Sequence, residues 1–225
     1  MSQIKRHNDV AFGKQVSKLI QSRRTTKLLA KDGVEITFTD EEASRMDKAV
    51  IDSIQDAGYA PFHYDRGVDG IAEPWRFYFL KQKECRQIGR MMPAWFTDMR
   101  PTNKLPSMLR SCGSLILVTW LPQFDRQVAD AKQLQIDQEH LAAAAAATQN
   151  LLLSLTSKNF KTYWSSGGLF REPKMFQELN IDLSEQLLAA VFVGYGADDE
   201  DVEVIYGKHH PSRSEHNAWT RVISF

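Results

Sequence analysis

A short basic segment is the first place in this sequence where the residue types could do chemistry. Ser22-Arg23-Arg24-Thr25-Thr26-Lys27 brings two arginines, a lysine and hydroxyl side chains together within six positions. The planar guanidinium group suits the oxygens of a phosphate, and hydroxyl groups add neutral donors. The segment therefore predicts an anion site, with a solvated helix terminus as the alternative interpretation.

Other candidate motifs favour ordinary structure over chemistry. Gly194-Tyr195-Gly196 follows an apolar run, but Asp199 stands where a dinucleotide-binding fingerprint has glycine. The sequence shows no P-loop and no nucleophile elbow. Three histidines come close together in the last part of the chain: His209, His210 and His216. The charges of Lys208 and Arg213 beside them disfavour a bound cation, so we predict a polar turn and no metal site.

Charge and cysteine content limit the class of protein. The 225 residues carry 28 Lys+Arg and 28 Asp+Glu, a neutral balance that argues against a general nucleic-acid or membrane binder and permits self-association. Cys85 and Cys112 form neither a disulfide framework nor a CxxC motif, so a reduced, cytoplasmic location is expected. No apolar signal segment or membrane-spanning run stands out.

Hydrophobic periodicity predicts the helices that must position the basic segment. A helix over 11–22 directly precedes it, and Thr39 to Glu42 form a capping box that starts the next helix. Later helices are expected over 81–92, 135–157 and 183–190. The helix over 135–157 contains six consecutive alanines and is apolar nearly all round, which predicts burial on all sides. The helix over 183–190 is expected to precede or merge into a strand.

Strands and loops complete the predicted organisation. Apolar or aromatic runs predict strands over 75–80, 115–120, 190–193 and 219–225. Residues 60–74, 93–106 and 164–168 are expected to be irregular, and 198–216 to be a polar segment. Since no long linker divides the chain, we expect residues 1–225 to form a single α+β domain.

Four separated segments together resemble a known family. They are Arg23-Arg24-Thr25-Thr26-Lys27-Leu28, then 57–61 with Glu73-Pro74-Trp75-Arg76-Phe77, then the alanine-rich 143–153 with 162–167, and finally 190–196. In order and spacing they are similar to the nitroreductase family of FMN-dependent, usually homodimeric oxidoreductases. The resemblance spans nearly the whole chain and implies a nitroreductase-like α+β fold, with a mixed central β-sheet flanked by helices.

The resemblance implies a cofactor-binding role for particular positions. Arg23, Thr25 and Lys27 would hold the FMN phosphate and the pyrimidine edge of the flavin, with Arg24 as the next candidate. The isoalloxazine ring would be lined by Trp164, Ser165, Ser166 and Gly167. A basic pair near the C-terminus of the family is matched by Lys208 and by either His210 or Arg213.

One segment departs from the family pattern. The asparagine and glutamine that precede Pro-Trp in the family are replaced here by Ile71 and Glu73. Another residue would therefore contact the amide edge of the flavin. The candidates are Asp65, Arg66 and Asp69.

The resemblance also implies that the cofactor, and no side chain, carries the redox step. NADH or NADPH would deliver a hydride to flavin N5 and leave. An electron-poor acceptor such as a nitroaromatic or a quinone would then enter the same site, which predicts ping-pong kinetics. Trp95, Phe96 and Phe124 are candidates for a lid over the substrate, with ordinary core packing as the alternative.

The resemblance also implies an intertwined homodimer, in which a C-terminal strand over 220–225 crosses to the sheet of the partner.

Two other functions remain open. One is a different flavin chemistry on the same scaffold, such as reductive dehalogenation or flavin breakdown, which the altered Ile71–Glu73 segment motivates. The other is a non-enzymatic flavin-binding module.

Overall fold

Six α-helices and six β-strands are found in residues 10–195 and 200–224, the part of the chain that the computed structural model describes. The helices are α1 (Val10–Ser22), α2 (Asp40–Ala57), α3 (Gln82–Trp95), α4 (Leu105–Ser111), α5 (Ala131–Ser157) and α6 (Pro173–Glu178). The strands are β1 (Thr26–Ala30), β2 (Trp75–Lys81), β3 (Ser114–Trp120), β4 (Lys161–Ser165), β5 (Gln186–Gly194) and β6 (Val202–Tyr206). Short 3-10 helices cover Gly168–Arg171 and His216–Ala218.

Four of the strands form the central sheet, in the order β2-β3-β5-β4. All its neighbouring strands are antiparallel, and Val191 of β5 lies between Ile116 of β3 and Trp164 of β4. Strands β1 and β6 form a separate antiparallel pair. A mixed sheet was expected; among the described residues, parallel pairing is confined to an isolated bridge between Thr25 and Thr162.

The hydrophobic core lies on both faces of this sheet, and β3 contributes side chains to both. All residues of β3 are buried, because β2 and β5 flank it and helices cover both faces. Leu115 and Leu117 pack with side chains of α3, α4 and α6. Ile116 and Val118 alternate with them and pack with α2 and α5. The continuous apolar run in the sequence is thus a buried strand, as predicted.

Side-chain caps fix the start of the two long helices. Thr39 and Glu42 form the predicted capping box of α2, in which the Thr39 amide donates to Glu42 Oε2 at 2.9 Å. Asp130 and Gln133 form a second box at the start of α5, with both of its hydrogen bonds at 2.9 Å. Helix α5 therefore begins at Ala131 and not at 135 as predicted.

The prediction of a helix over 183–190 is wrong. Residues from Gln186 onward belong to β5, although their leucines and alanines favour a helix. Pairing with β3 on one side and β4 on the other overrides that local preference. The predicted loop over 164–168 also begins too early, since Trp164 and Ser165 are the last residues of β4.

Four further expectations differ from the structure. In the stretch 93–106, α3 continues to Trp95 and α4 begins at Leu105, so only its middle is irregular. The polar segment 198–216 contains β6. Residues 219–224 are exposed and form no strand in the single chain, while residues 196–199 and Phe225 lie outside the described residues. Helix α5 is also not buried on all sides, because Ala142 is exposed and Leu153 is half-buried.

Candidate functional site

Three distant parts of the chain meet at the basic segment. Thr25 forms the parallel bridge to Thr162, the second residue of β4. The amide of Gly207 donates a hydrogen bond of 2.9 Å to the carbonyl oxygen of Thr25, just beyond the pairing of β1 with β6. A Cβ atom at position 207 would lie 2.8 Å from Thr25 Cβ, so this approach requires glycine. The structure thus brings the basic segment, the start of β4 and Lys208 together.

Two aromatic rings position the cations of the segment. The guanidinium carbon of Arg24 lies 4.3 Å from the centre of the Tyr206 ring. The ammonium nitrogen of Lys27 lies 4.5 Å from the centre of the Tyr163 ring. Such cation–π contacts restrict where a long, flexible side chain can place its charge. The sequence interpretation did not include either tyrosine, because the strands that carry them were not predicted.

Alternation along the extended chain separates the segment into two faces. Arg24 and Thr26 line a cleft of about 290 Å³ together with Lys161 and Tyr206. Arg23, Thr25 and Lys27 occupy the alternate positions. Neighbouring arginines in the sequence therefore point to different surfaces, and Lys161 is a cation of the cleft that the sequence interpretation missed.

The second basic group predicted for the site lies close to Arg23. Burial lowers the pKa of Arg23, and the like charge of Arg213 lowers it further. His210 is also adjacent, since its Nε2 lies 3.0 Å from the carbonyl oxygen of Gln21. Lys208 follows Gly207 directly and is exposed. Both alternatives for the second member of the basic pair are thus near the segment.

No carboxylate neutralises this group of cations within residues 10–195 and 200–224. Its members are Arg23, Arg24, Lys27, Lys161, Lys208 and Arg213, and none of them takes part in a salt bridge with a described acidic residue. A cluster of like charges is unfavourable unless an anion balances it. The positive charge around the basic segment is therefore not compensated by described acidic residues.

The predicted ring-lining segment begins in β4 and turns sharply after it. Ser165 is buried, and its Oγ accepts a hydrogen bond of 3.2 Å from the Gly167 amide. Gly167 has φ +107°, and a Cβ atom there would overlap the side chain of Leu187. The exposed Ser166 carbonyl accepts a hydrogen bond of 2.5 Å from Arg171 Nε. Glycine at this position is therefore required by the backbone conformation and by the close approach of Leu187.

The Trp164 side chain lies apart from the cations. It packs with α2 and α5, whereas Tyr163, whose ring contacts Lys27, packs with the core on the other face of the sheet.

The predicted lid residues are not gathered at the basic segment either. Trp95 and Phe96 pack against the core of α3 and α4, and Phe124 is half-buried in the loop after β3. The contacts of Trp95 and Phe96 match the alternative interpretation, ordinary core packing.

The three candidates for the amide edge lie in the loop before β2. Arg66 donates to the carbonyl oxygens of Leu121 and Pro122 at 3.0 and 2.9 Å, so its guanidinium group already has partners. Asp69 has φ +55° and is part of a turn. Asp65 lies close to Gly67. The structure gives no contact of these residues with the basic segment.

A buried polar cluster at one end of the central sheet was not predicted. The carboxylate of Glu185, 9% exposed, accepts hydrogen bonds from the Tyr78 hydroxyl at 2.7 Å and from the Thr119 hydroxyl. Burial is the main cause that raises the pKa of Tyr78, and the hydrogen bond to Glu185 adds to it. The cluster ties the first residues of β5 to β2 and β3.

Neither a metal site nor a membrane-spanning helix is present in the part of the chain that the structure describes. Within residues 10–195 and 200–224, no three His, Cys, Asp or Glu side chains are arranged to hold a metal ion. The same residues contain no helix that is both long and apolar enough to cross a membrane.

Comparison with known proteins places this α+β fold in a family. Residues 41–195, more than half of the chain, match the model of the nitroreductase family. The chain therefore belongs to the nitroreductase family. A curated relative is YfhC of Bacillus subtilis (strain 168), named for an inferred NAD(P)H nitroreductase activity. It is 24% identical over 162 residues, which cover 69% of this chain and 75% of YfhC.

Solved structures share the fold over most of the chain. A nitroreductase-like family protein from Bacillus cereus has a TM-score of 0.64 and 20% identity, covering 93% of this chain and 96% of its own. An inferred nitroreductase from Desulfovibrio desulfuricans, solved in complex with FMN, has a TM-score of 0.56 and 18% identity, covering 93% and 97%. An iodotyrosine deiodinase bound to FMN and 3-iodo-L-tyrosine has a TM-score of 0.50 and 17% identity, covering 82% and 91%. At these identities the similarity shows the fold alone.

Proposed function

We propose that this protein is an FMN-dependent oxidoreductase that passes electrons from NADH or NADPH to an electron-poor acceptor such as a nitroaromatic or a quinone. The observation that carries the proposal is the group of cations without carboxylate partners where the basic segment, β4 and Lys208 meet. Membership of the nitroreductase family supplies the class of cofactor.

The donors around Arg23 fit the phosphate of FMN. Arg23 and Arg213 repel each other, and Arg23 is partly buried, so a dianion between them would relieve an unfavourable charge. The hydroxyl of Thr25 and the ammonium group of Lys208 would add two further donors. Either His210 or Arg213 would complete the basic pair.

Lys27 and the turn after β4 would hold the ring of the cofactor. The Tyr163 ring keeps the Lys27 ammonium group beside β4, where it would lie against the pyrimidine edge of the flavin. Ser165, Ser166 and Gly167 would present backbone groups of this turn to the ring. The Trp164 side chain would support this turn from the opposite face of the sheet.

Bound FMN would supply hydride acceptance and donation at N5, as flavins do in general. The chain itself would bind, orient and shield the ring, so no catalytic side chain is assigned. We also propose that NAD(P)H and the acceptor use the same surface in turn, and that the lid candidates Trp95, Phe96 and Phe124 contribute only through packing.

The proposal includes the assembly and location expected from the family resemblance. A homodimer would cover the outward faces of α1 and α5, and residues 220–225 would pair with the sheet of the partner. The neutral charge balance and the two free, buried cysteines are compatible with a single-domain cytoplasmic enzyme.

Reductive dehalogenation is a second candidate function. Ile71 and Glu73 replace the residues that the family usually has before Pro-Trp, and the deiodinase that shares this fold binds FMN and an iodotyrosine. Anaerobic product analysis with the dithionite-reduced protein distinguishes the two functions. Release of halide from a halogenated phenol, with no turnover of nitroaromatics or quinones, would favour dehalogenation.

An FMN titration of the apoprotein tests cofactor binding. Arg23→Ala removes one charged donor to the phosphate, and a hydrogen bond to a charged group is worth about 1.5–3 kcal/mol. We therefore expect the Kd for FMN to rise roughly 10- to 150-fold. Lys83→Ala, an exposed lysine of α3, is the matched control and should bind FMN as the wild type does. Flavin fluorescence quenching measures both.

The outcomes separate the three interpretations. A protein that takes up no FMN would contradict every flavin-dependent function. A protein that binds FMN but whose flavin absorbance is never bleached anaerobically by NADH or NADPH would indicate a non-enzymatic flavin-binding module. If Arg24→Ala weakens FMN binding while Arg23→Ala does not, the phosphate occupies the cleft beside Tyr206 and the assignment of faces is wrong.

A further inference from the structure

Two neighbouring depressions of the surface meet at the turn between α5 and β4. One is the cleft of about 290 Å³ beside Arg24, and the other is a cavity of about 410 Å³ beside α2. Asn159 and Phe160 line both of them, so the cleft and the cavity adjoin. Asn159 has φ +65°, a left-handed conformation that asparagine adopts more readily than most residues. On either side of it, Lys158 lines the cavity and Lys161 lines the cleft.

Positively charged side chains line both parts of this surface. They are Arg24 and Lys161 in the cleft, and Arg45, Lys48 and Lys158 in the cavity. Lys158 is paired with Asp56, whose Oδ2 lies 3.3 Å from its Nζ. The other four form no salt bridge with an acidic residue of the described ranges 10–195 and 200–224. An anionic group in either part would therefore meet cations that no described carboxylate neutralises.

A tyrosine ring holds one arginine in each part. The guanidinium carbon of Arg24 lies 4.3 Å from the centre of the Tyr206 ring, and that of Arg45 lies 5.1 Å from the centre of the Tyr195 ring. Arg45 Nε also donates to the Tyr195 hydroxyl at 3.4 Å, and that hydroxyl donates to the carbonyl oxygen of Glu42 at 2.6 Å. The charge of each arginine is thus kept at one place on an exposed surface.

The cavity and the cleft differ in the rest of their lining. Ala49, Phe160 and Tyr195 give the cavity apolar and aromatic surface, whereas the cleft is lined mainly by polar and charged side chains. A guanidinium group such as that of Arg45 can also stack on a planar ring. A volume of about 410 Å³ is within the usual range of small-molecule sites. The cavity therefore fits a planar ring, and the cleft fits phosphate groups.

One carboxylate in the cavity limits the choice of ligand. Asp52 lies one turn after Lys48 in α2 and lines the cavity with it. A carboxylate repels an anion, but it accepts hydrogen bonds from hydroxyl and amino groups. The ribose and the amino group of a nucleotide base supply such donors. A nucleotide thus matches the whole surface better than an inorganic phosphate does.

We propose that the cavity and the cleft together bind a nucleoside diphosphate. Its ring and ribose lie in the cavity between Arg45 and Asp52, and its two phosphates lie in the cleft beside Arg24 and Lys161. This site is separate from the proposed FMN site, in which the phosphate lies on the alternate face of the basic segment near Arg23. The proposal does not depend on FMN binding or on the proposed enzymatic activity.

Isothermal titration calorimetry with ADP tests the proposal on the full-length protein. The titration is made on the apoprotein and on protein saturated with FMN. We expect one ADP per chain in both samples, with the same Kd. Absence of binding at millimolar ADP, or release of FMN by ADP, would overturn the proposal. If the protein takes up no FMN, the titration of the apoprotein still decides whether the nucleotide site exists.

A variant of the cleft tests where the phosphates lie. Lys161→Ala removes one of the two cations of the cleft, and we expect the Kd for ADP to rise roughly 10-fold. Lys83→Ala, on the exposed surface of α3, is the matched control and should bind ADP as the wild type does. Circular dichroism verifies that both variants are folded. Equal ADP affinity in Lys161→Ala and the wild type would contradict the placement of the phosphates.

Inorganic pyrophosphate distinguishes a nucleotide site from a simple anion site. It lacks the ring and the ribose, so we expect the wild type to bind it at least roughly 10-fold more weakly than ADP. In Asp52→Ala this preference for ADP should become smaller, because an acceptor for the nucleoside is lost and a charge that repels pyrophosphate is removed. Equal Kd values of ADP and pyrophosphate for the wild type would show a simple anion site and overturn the assignment of a nucleotide.

Discussion

Arg23 and Arg24 are neighbours in the sequence but lie on different surfaces. Arg24 stacks on Tyr206 beside a cleft, whereas Arg23 is partly buried near Arg213. The composition of the segment alone predicted an anion site. It could not separate its two faces, because that separation depends on the bridge from Thr25 to Thr162 and on β6, which is far away in the sequence.

His140 makes the stability of the protein depend on pH. It is 1% exposed in α5, and burial is the main cause that lowers its pKa. The unfolded chain binds a proton at this position below about pH 6.5, while the folded chain binds it only at lower pH. The resulting stability is present above that pH and is lost as the pH falls below it.

We therefore expect the wild type to unfold at a lower urea concentration at pH 5.5 than at pH 7.5. The decrease in the midpoint should be smaller in His140→Gln. Glutamine cannot take up the proton, so that part of the pH dependence disappears. The exposed His209→Gln serves as the control and should keep the slope of the wild type. An unchanged slope in His140→Gln would show that other groups cause the pH dependence.

At the scale of elements, the turn after β4 depends on one glycine. Gly167 combines φ +107° with contact against Leu187, so Gly167→Ala introduces both backbone strain and overlap. Strain of this kind costs about 1–3 kcal/mol, and overpacking adds a similar amount. We expect a loss of roughly 2–6 kcal/mol in the free energy of unfolding, measured by urea denaturation.

Two other glycines separate these contributions. Gly33 has φ +77°, and no atom lies within 4 Å of the position that a Cβ atom would take there, so Gly33→Ala measures backbone strain alone. Gly13 lies in α1 with free space around it, and Gly13→Ala should be neutral or stabilise by up to about 1 kcal/mol. If Gly167→Ala costs no more than Gly33→Ala, Leu187 moves aside and the turn is less constrained than the structure indicates.

Elements with strong local signals were predictable from the sequence, and those that depend on distant partners were not. The capping box of α2 and the apolar run of β3 determine their own structure. Strand β5 begins with residues that favour a helix, and β6 lies in a polar segment; each forms because another strand pairs with it. The same reason explains why Lys161, Tyr163 and Tyr206 were missing from the predicted site.

At the scale of the whole molecule, α1 has an apolar face that the single chain leaves uncovered. None of its residues is buried, and Val16 and Ile20 are 38% and 49% exposed. Residues 219–224 are likewise exposed. Uncovered apolar surface of this kind is typical of a site of association with another copy of a chain. These features support the proposed homodimer.

Analytical ultracentrifugation tests the proposed dimer. We expect a species of twice the chain mass of 25.7 kDa. Val16→Glu places a charge on the apolar face of α1 and should weaken the dimer, whereas Lys14→Glu changes the opposite face and should not. Deletion of 217–225 should damage both folding and association. A wild type that sediments as a monomer at micromolar concentration would contradict the proposal.

The pairing of β1 with β6 has a consequence for synthesis of the protein. Thr26 pairs with Tyr206, 180 positions later in the chain. A nascent chain that has already folded the central strands still lacks Lys208 and Arg213, because proteins emerge from the ribosome with their N-terminal part first. The proposed anion site is thus completed only when nearly all of the polypeptide has been made. If it binds the anion as proposed, binding is a late event in the maturation of the protein, and prematurely terminated chains would lack part of the site.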